Sequence, residues 1–421
     1  MNIIEEILSL FGLLHDATLQ GLNVQAFPSS LADPLDSTSI SHSKLATALT
    51  EAISFARVSF PSLPDPLPTP MAIAAIDGAG PTFPFAGNRE MEMDYSASVL
   101  KVAAMYAAYQ LRAVVNAVAQ AAAKIQPITS QADLFKLLVD TLDKQIDPAV
   151  PLISQRVSHD KRVPSYQTVF DANLNSSGVF ELDFTSRFKT AIADMIIVSD
   201  DEAAAYCIHG LGYSWLNGLL QSAGFIKSAI PPQNGTGIWL AGDFSVSGIW
   251  QHFKDYVHMD PKDPVDFTQK VGPKWDYVRV NSFNDGPVAQ AMTCYDMAKL
   301  YVLLQQKKLV MDTIVSQHSC SDMLNFLALA VTTLGESFIN RPTPPPKFTV
   351  DNTKLGLGPL KTGQSVASEA SIVSRNGTSF VVVWQNLSVR FLGDGSIDPK
   401  LFAPIAMIVD ETIRRYLNLP L

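Results

Sequence analysis

Cysteine is scarce in this chain, with Cys207, Cys294 and Cys320 the only three in 421 residues. An odd number without a C-x-x-C pair excludes a disulfide framework and a zinc knuckle, so the three are read as free structural thiols. Charge is scarce too, at 17% of residues, and cations are outnumbered, 31 Lys plus Arg against 40 Asp plus Glu. No basic run exceeds Lys307-Lys308, so there is no surplus to neutralise phosphates, and nucleic acid is not an expected partner. Uninterrupted apolar runs of membrane-spanning length are also missing. The longest candidate, Ala97 to Ile125, is broken by Lys101, Arg112 and Lys124 and reads as a buried helix. The first fourteen residues lack a basic start and carry Glu5 and Glu6, which does not suit a secretory signal. The expectation is a cytoplasmic chain as given, or a periplasmic or secreted one if processed.

What is present is apolar bulk: hydrophobic residues make up 47%, which argues against disorder and for a packed interior. The length suits one elaborated domain or two interlocked subdomains. Proline clusters at Pro61 to Pro70 and Pro342 to Pro346 predict extended connectors. Before the first, Leu45, Leu49, Ala52, Ile53 and Ala56 recur at helical spacing. After it come strand-like runs, Met71 to Ile76 and one ending near Met93. Helical patterns then dominate: Ala97 to Ala123, Leu134 to Ile146, Phe188 to His209, Tyr213 to Gln221, Thr293 to Gln306 and Asp322 to Thr332. Beyond the second cluster the pattern predicts strands at Leu357 to Thr362, Ala367 to Val373 and Ser379 to Gln385, the last two joined by an Asn376-Gly377 hairpin turn, then a final helix at Pro404 to Tyr416.

This order predicts an α/β (α+β) fold whose antiparallel sheet is assembled from both chain ends, with a large helical insertion between them. The expected organisation is a helical extension and connector over 1–70, a sheet subdomain from 71–95 plus 347–421, and a mainly helical subdomain over 96–346.

Ser98 and Lys101 lie three residues apart, which on a helix puts a hydroxyl and an amine on one face. A lysine entering so apolar a helix has its ammonium form disfavoured by desolvation, and a neutral amine can take a serine proton. The same Ser-x-x-Lys spacing recurs at Ser41 and at Ser186, so context has to select among the three. Downstream lie Ser199-Asp200-Asp201, at a helix break, and Lys361-Thr362-Gly363, ahead of the hairpin.

In this chain order the trio resembles the serine β-lactamase and penicillin-binding D,D-peptidase superfamily, closest to class A β-lactamases, over roughly residues 71 to 421. The resemblance implies a β-lactamase-like fold and a serine hydrolase or acyltransferase acting through an acyl-serine on an amide, β-lactam or ester. It implies Ser98 as nucleophile, Lys101 as its proton acceptor and Ser199 as proton shuttle. It further implies Lys361 and Thr362 as holders of a substrate carboxylate, and Gly363 as the point where the substrate backbone approaches. Oxyanion donors would be backbone N–H groups of Ser98 and of the strand near Ser365. The substrate would be small or peptide-like and carboxylate-bearing; no cofactor and no metal are implied.

Two departures stand out. Asp201 replaces the Asn usual at the third position of the middle motif, setting a carboxylate close to Lys101 and affecting substrate amide recognition. No Glu lies between Glu202 and Glu336 to activate a deacylating water, and Asp276, in WDYVRVN, is the substitute. Its shorter side chain predicts slow deacylation. The alternatives are a D,D-peptidase-like enzyme with slow deacylation and a non-catalytic binding or scaffold protein that keeps the cleft.

Other features have plainer readings. Insertions at about 150 to 185, 240 to 275 and 335 to 352 are expected to rim the cleft. Trp239, Trp250, Phe253 and Tyr256 read as loop packing. His252, His258, Asp255 and Asp260 match no metal motif. Gly356-x-Gly358 is not a phosphate loop, since no Gly-Lys-Ser or Gly-Lys-Thr follows, and reads as turn chemistry at a strand entry.

Overall fold

The computed structural model describes residues 22–420 except 23, 79, 93, 126–127, 150–157, 226–237, 240–290, 311–317, 334–336 and 360–363. Its centre is a six-stranded sheet of order β1-β3-β2-β11-β10-β9. The strands are β1 (Leu35–Asp36), β2 (Met71–Ile76), β3 (Phe83–Asn88), β9 (Thr349–Pro359), β10 (Ser365–Arg375) and β11 (Thr378–Ser388). All neighbouring pairs are antiparallel except β1 with β3. The sheet is therefore drawn from both chain ends, as the sequence pattern predicts, and β1 adds residues from before the first proline cluster.

Alternation along the strands explains why the sheet is covered on both faces. Met71, Ile73 and Ala75, with Phe380, Val382 and Trp384, belong to one apolar cluster. That cluster also takes Leu45, Leu49 and Ala52 of α1 (Ile40–Ser59) and Ile405, Ile408 and Val409 of the terminal helix Ala403–Tyr416. Ala72 and Ala74, with Val381, Val383, Ala370 and Ile372, join the other cluster, which contains α2 (Lys101–Ile125). Period two in the strands thus meets period 3.6 in the helices on each side. Each fully buried Val, Ile or Phe contributes about 1.5–3 kcal/mol, so the two faces together outweigh any single polar contact in holding the sheet. The hairpin at Asn376 and Gly377 has φ of 50° and 78°, the positive pair that a two-residue turn between right-twisted strands needs.

Helix α2 is buried on nearly every side, from Val102 to Val115 without an exposed residue. A helix apolar all round belongs in a core. It is wrapped by α3 (Gln131–Leu138), α4 (Ser186–Ile197), α5 (Asp201–Leu211), α6 (Tyr213–Ser222), α7 (Cys294–Gln305) and α8 (Ser319–Thr333). The Phe188 to His209 helical reading resolves into α4 and α5, separated at Val198 to Asp200. The insertion expected at about 150 to 185 contains a hairpin, β5 (Phe170–Leu174) with β6 (Phe180–Phe184). Asn116 of α2 pins it, accepting from Leu182 N at 2.9 Å and donating to Leu182 O at 2.8 Å. A three-stranded sheet places β4 (Asp94–Tyr95) and β7 (Ile238–Trp239) on either side of β8 (Ala291–Met292). The three cysteines are buried, and none is in a disulfide. Among the described residues no helix is long and apolar enough to cross a membrane.

Candidate active site

Ser98 lies in a single 3-10 turn, Ala97–Leu100, that leads into α2. Ala97 has φ 50°, a left-handed conformation costly for a residue with a Cβ. The turn is tolerated because β9 packs directly on it. At Gly356 an added Cβ would sit 2.2 Å from Ser96 O and 3.2 Å from Ser98 N. Only glycine lets the strand come so close. Ser98 itself is half-buried, whereas Val99 and Leu100 are fully buried.

Lys101 opens α2 with no exposed surface. A buried ammonium must be solvated by protein oxygens. Three supply this: Ser199 O at 2.7 Å, Asp200 O at 3.3 Å and Asp201 Oδ1 at 2.5 Å. The corner between α4 and α5 is built to present them. Ser199 has φ 62°, Asp200 N donates back to Asp194 O, and the Asp200 carboxylate caps α5 by accepting from Ala203 N at 2.6 Å. Burial pushes the Lys101 amine below its ordinary value, while the Asp201 carboxylate, and more weakly that of Asp200, pull it back up.

The fourth group is one the sequence reading did not select. Lys354, on β9 and without exposed surface, donates to Ser199 Oγ at 2.6 Å and to Leu355 O at 3.3 Å. Burial holds its amine well below the ordinary lysine range, the positive charge of Lys101 adds to this, and Asp201 opposes it. The motif that meets Ser199 is therefore Lys354-Leu355-Gly356. Lys361, Thr362, Gly363 and Asp276 lie outside the described residues. Asp201 is brought to Lys101, with 29% of its side chain exposed. Ser365 opens β10 opposite Pro359, while Ser368 is the residue facing Gly356. Gly356 and Gly358 are both inside β9, which corrects their reading as an entry turn and moves the strand start from Leu357 back to Thr349. The usable signal was a second Lys-x-Gly triplet seven residues upstream of the one chosen.

On the far face of the sheet, Glu369 of β10 fixes β9 beside Lys354. Its carboxyl accepts from Thr353 Oγ1 at 3.0 Å, Ser371 Oγ at 2.6 Å and Ile339 N at 3.2 Å. Burial raises its pKa, and these donors offset part of that rise. Leu355 turns into the apolar cluster on that same face. The position after Lys354, where a Lys-Thr-Gly triplet carries a hydroxyl, is therefore apolar. Among the described residues, no group of His, Cys, Asp and Glu could hold a metal ion.

No family model matches the chain, and no curated protein matches it either. Solved structures that align with it include β-lactamases, among them variants of an ancestral class A enzyme, and a PBP-A. The β-lactamase from Sphaerobacter thermophilus DSM 20745 aligns at 13% identity and a TM-score of 0.41, covering 89% of this chain and 98% of that one. A double mutant of the class A β-lactamase of the last common ancestor of Gram-negative bacteria aligns at 15% identity and TM-score 0.40, covering 89% and 99%. PBP-A aligns at 13% identity and TM-score 0.43, covering 93% and 100%. Likeness at this level carries no weight for function, which is drawn below from the side chains themselves.

Proposed function

We propose that the protein is a serine hydrolase or acyltransferase that forms an acyl-serine on Ser98, with an amide, β-lactam or ester as acyl donor. The observation that carries this reading is the meeting of four elements at one turn. The turn bearing Ser98 is pressed by Gly356 of β9, Lys101 follows it by one helical turn, and Ser199 bridges the two lysines through its carbonyl to Lys101 and its hydroxyl to Lys354. Ser98 attacks the donor carbonyl, and its own backbone N–H, at the entrance to a helix, helps hold the developing oxyanion. The second donor comes from the end of β9 beyond Gly356. Ser199 returns a proton to the leaving group. Asp276 remains the proposed activator of a deacylating water, with slow turnover as its consequence. Because Leu355 replaces the expected hydroxyl beside Lys354, the donor is defined first by its reactive carbonyl, and a carboxylate is an added feature for which Thr362 is the proposed holder.

A fluorescent penicillin tests the reading on the native chain. Labelling that survives boiling in detergent and disappears in Ser98→Ala supports it. Absent labelling by both the penicillin and an activated ester favours a binding protein that keeps the cleft without the chemistry.

A further inference from the structure

Two lysines enter one buried site, and one carboxylate touches only one of them. Lys101 Nζ is surrounded by three oxygens, as many as an ammonium has protons, and one of the three is the Asp201 carboxylate at 2.5 Å. Lys354 Nζ has the Ser199 hydroxyl at 2.6 Å and the Leu355 carbonyl at 3.3 Å, with no carboxylate in contact among the described residues. Two ammonium ions cannot share such a site cheaply, because like charges in a desolvated pocket repel strongly. The one left uncompensated gives up its proton.

Resting on the acyl-serine reading above, we infer that Lys101 is a fixed ammonium locked by Asp201, and that the proton leaving Ser98 passes through the Ser199 hydroxyl to the neutral amine of Lys354. The roles of the two lysines are thereby the reverse of those the Ser-x-x-Lys spacing predicts. Lys354 becomes the terminal base, and Lys101 a positioning cation that holds the Ser199 corner. Divergent environments for two neighbouring titratable groups assign acid and base in this way. The direction of the Lys354 shift agrees, with burial and the Lys101 charge both disfavouring its protonated form.

The step balances. The Ser98 Oγ lone pair forms the bond to the acyl carbon, and the carbonyl π pair moves to its oxygen. The Ser98 proton goes to Ser199 Oγ as the Ser199 proton goes to Lys354 Nζ, converting NH2 to NH3+. Collapse of the oxyanion breaks the bond to the leaving nitrogen or oxygen, which takes the proton back along the same path. Asp201 is untouched throughout. Among the described residues the charged groups around the pair are Lys101 from α2, Asp201 from α5 and Asp200 at its cap; on the neighbouring strand, Glu369 lies across the sheet with its own donors.

The test uses the full chain labelled with 15N-lysine, the Lys101 and Lys354 side-chain signals being assigned with Lys101→Arg and Lys354→Arg. At pH 7 the expected spectrum has Lys101 as an ammonium and Lys354 as an amine; Asp201→Asn should lower the pH at which Lys101 loses its proton. The opposite assignment overturns the inference whether or not the protein acylates, so its failure is separable from that of the acyl-serine reading. With benzylpenicillin as probe, Lys354→Arg should slow adduct formation on the order of 10²–10⁴-fold, the usual contribution of a general base. Lys101→Arg, which keeps the charge at the Ser199 corner, should slow it less than Lys354→Arg does. Loss with Lys101→Arg and retention with Lys354→Arg would overturn it. Should Lys101→Arg fail to fold, the acid limb of the native labelling rate decides: it must follow the Lys354 titration and not that of Lys101.

Discussion

Lys354 Nζ stands 2.6 Å from Ser199 Oγ, although the two residues are separated by 155 positions in the chain. That contact joins the sheet to the helical part of the molecule at the turn carrying Ser98. It also fixes which lysine of the region between 349 and 363 belongs to the described site.

Replacing Lys354 by Met should reduce adduct formation with a penicillin by at least about 100-fold, the lower range for losing a general base. Lys361→Ala should reduce it less. Pre-steady-state labelling rates for the two variants make the comparison, and a larger loss at Lys361 would restore the Lys-Thr-Gly triplet to the centre of the site.

Gly356→Ala should cost both stability and acylation. The added methyl meets the Ser96 carbonyl at 2.2 Å and the Ser98 nitrogen at 3.2 Å, and backbone atoms cannot swing aside as a side chain can. Overpacking of this kind costs about 1–3 kcal/mol, and the displaced turn carries Ser98 with it. Denaturant unfolding and labelling rate should fall together; an unchanged rate would mean that the strand does not press on the serine turn.

Glu369 predicts a contrast between two substitutions. Glu369→Ala leaves the Thr353 and Ser371 hydroxyls only each other, at 2.9 Å, and takes the acceptor from the Ile339 amide, a buried unsatisfied group costing about 1–3 kcal/mol. Glu369→Gln keeps an acceptor and removes the need to bury a charge, so it should be far milder. Urea midpoints of the two proteins provide the check.

Asp143 supplies a pH signature away from the site. Burial raises its pKa from 3.8 to about 6, against a lowering hydrogen bond from Tyr166 OH at 2.8 Å. Below 3.8 both folded and unfolded chains carry the proton; between 3.8 and about 6 only the folded chain holds it. This group therefore adds stability as pH falls through 6, and that contribution is absent at pH 7 and above. Asp143→Asn should be more stable than the native chain at pH 7 by roughly 1 kcal/mol after allowance for partial solvent screening, and the gap should close near pH 4. Thermal melts across that range would show the convergence.

Much of the fold can be read from the sequence because its signals are periodic. The alternation in Met71 to Ile76 and in Phe380 to Trp384, and the Asn376-Gly377 turn, lead directly to the observed register. Ser98, Lys101 and Ser199 could be found because each sits at an element boundary, where a polar residue interrupts an apolar run. Lys354 could not be found that way. Its strand begins Thr-Val-Asp-Asn-Thr-Lys, where Asp351, Asn352 and Lys354, residue types depleted in strands, interrupt the β-branched ones, so a pattern reading starts the strand too late. The hydroxyl of Thr362 draws a sequence reading to Lys361 instead, which lies outside the described residues. What selects Lys354 is the close approach of Gly356 to Ser96, a contact between residues 260 apart that local periodicity cannot reveal.

The Asp201 carboxylate was legible as a departure, but its consequence was not. Only the geometry shows that it bonds the Lys101 ammonium at 2.5 Å, while Lys354 bonds the Ser199 hydroxyl and the Leu355 carbonyl.

The account stands or falls on where an acyl group attaches. Native protein treated with benzylpenicillin, digested and sequenced by tandem mass spectrometry, should carry one penicilloyl adduct on the peptide containing Ser98, and Ser98→Ala should carry none. An adduct mapped to Ser199 or elsewhere, or one that persists undiminished in Ser98→Ala, would contradict it.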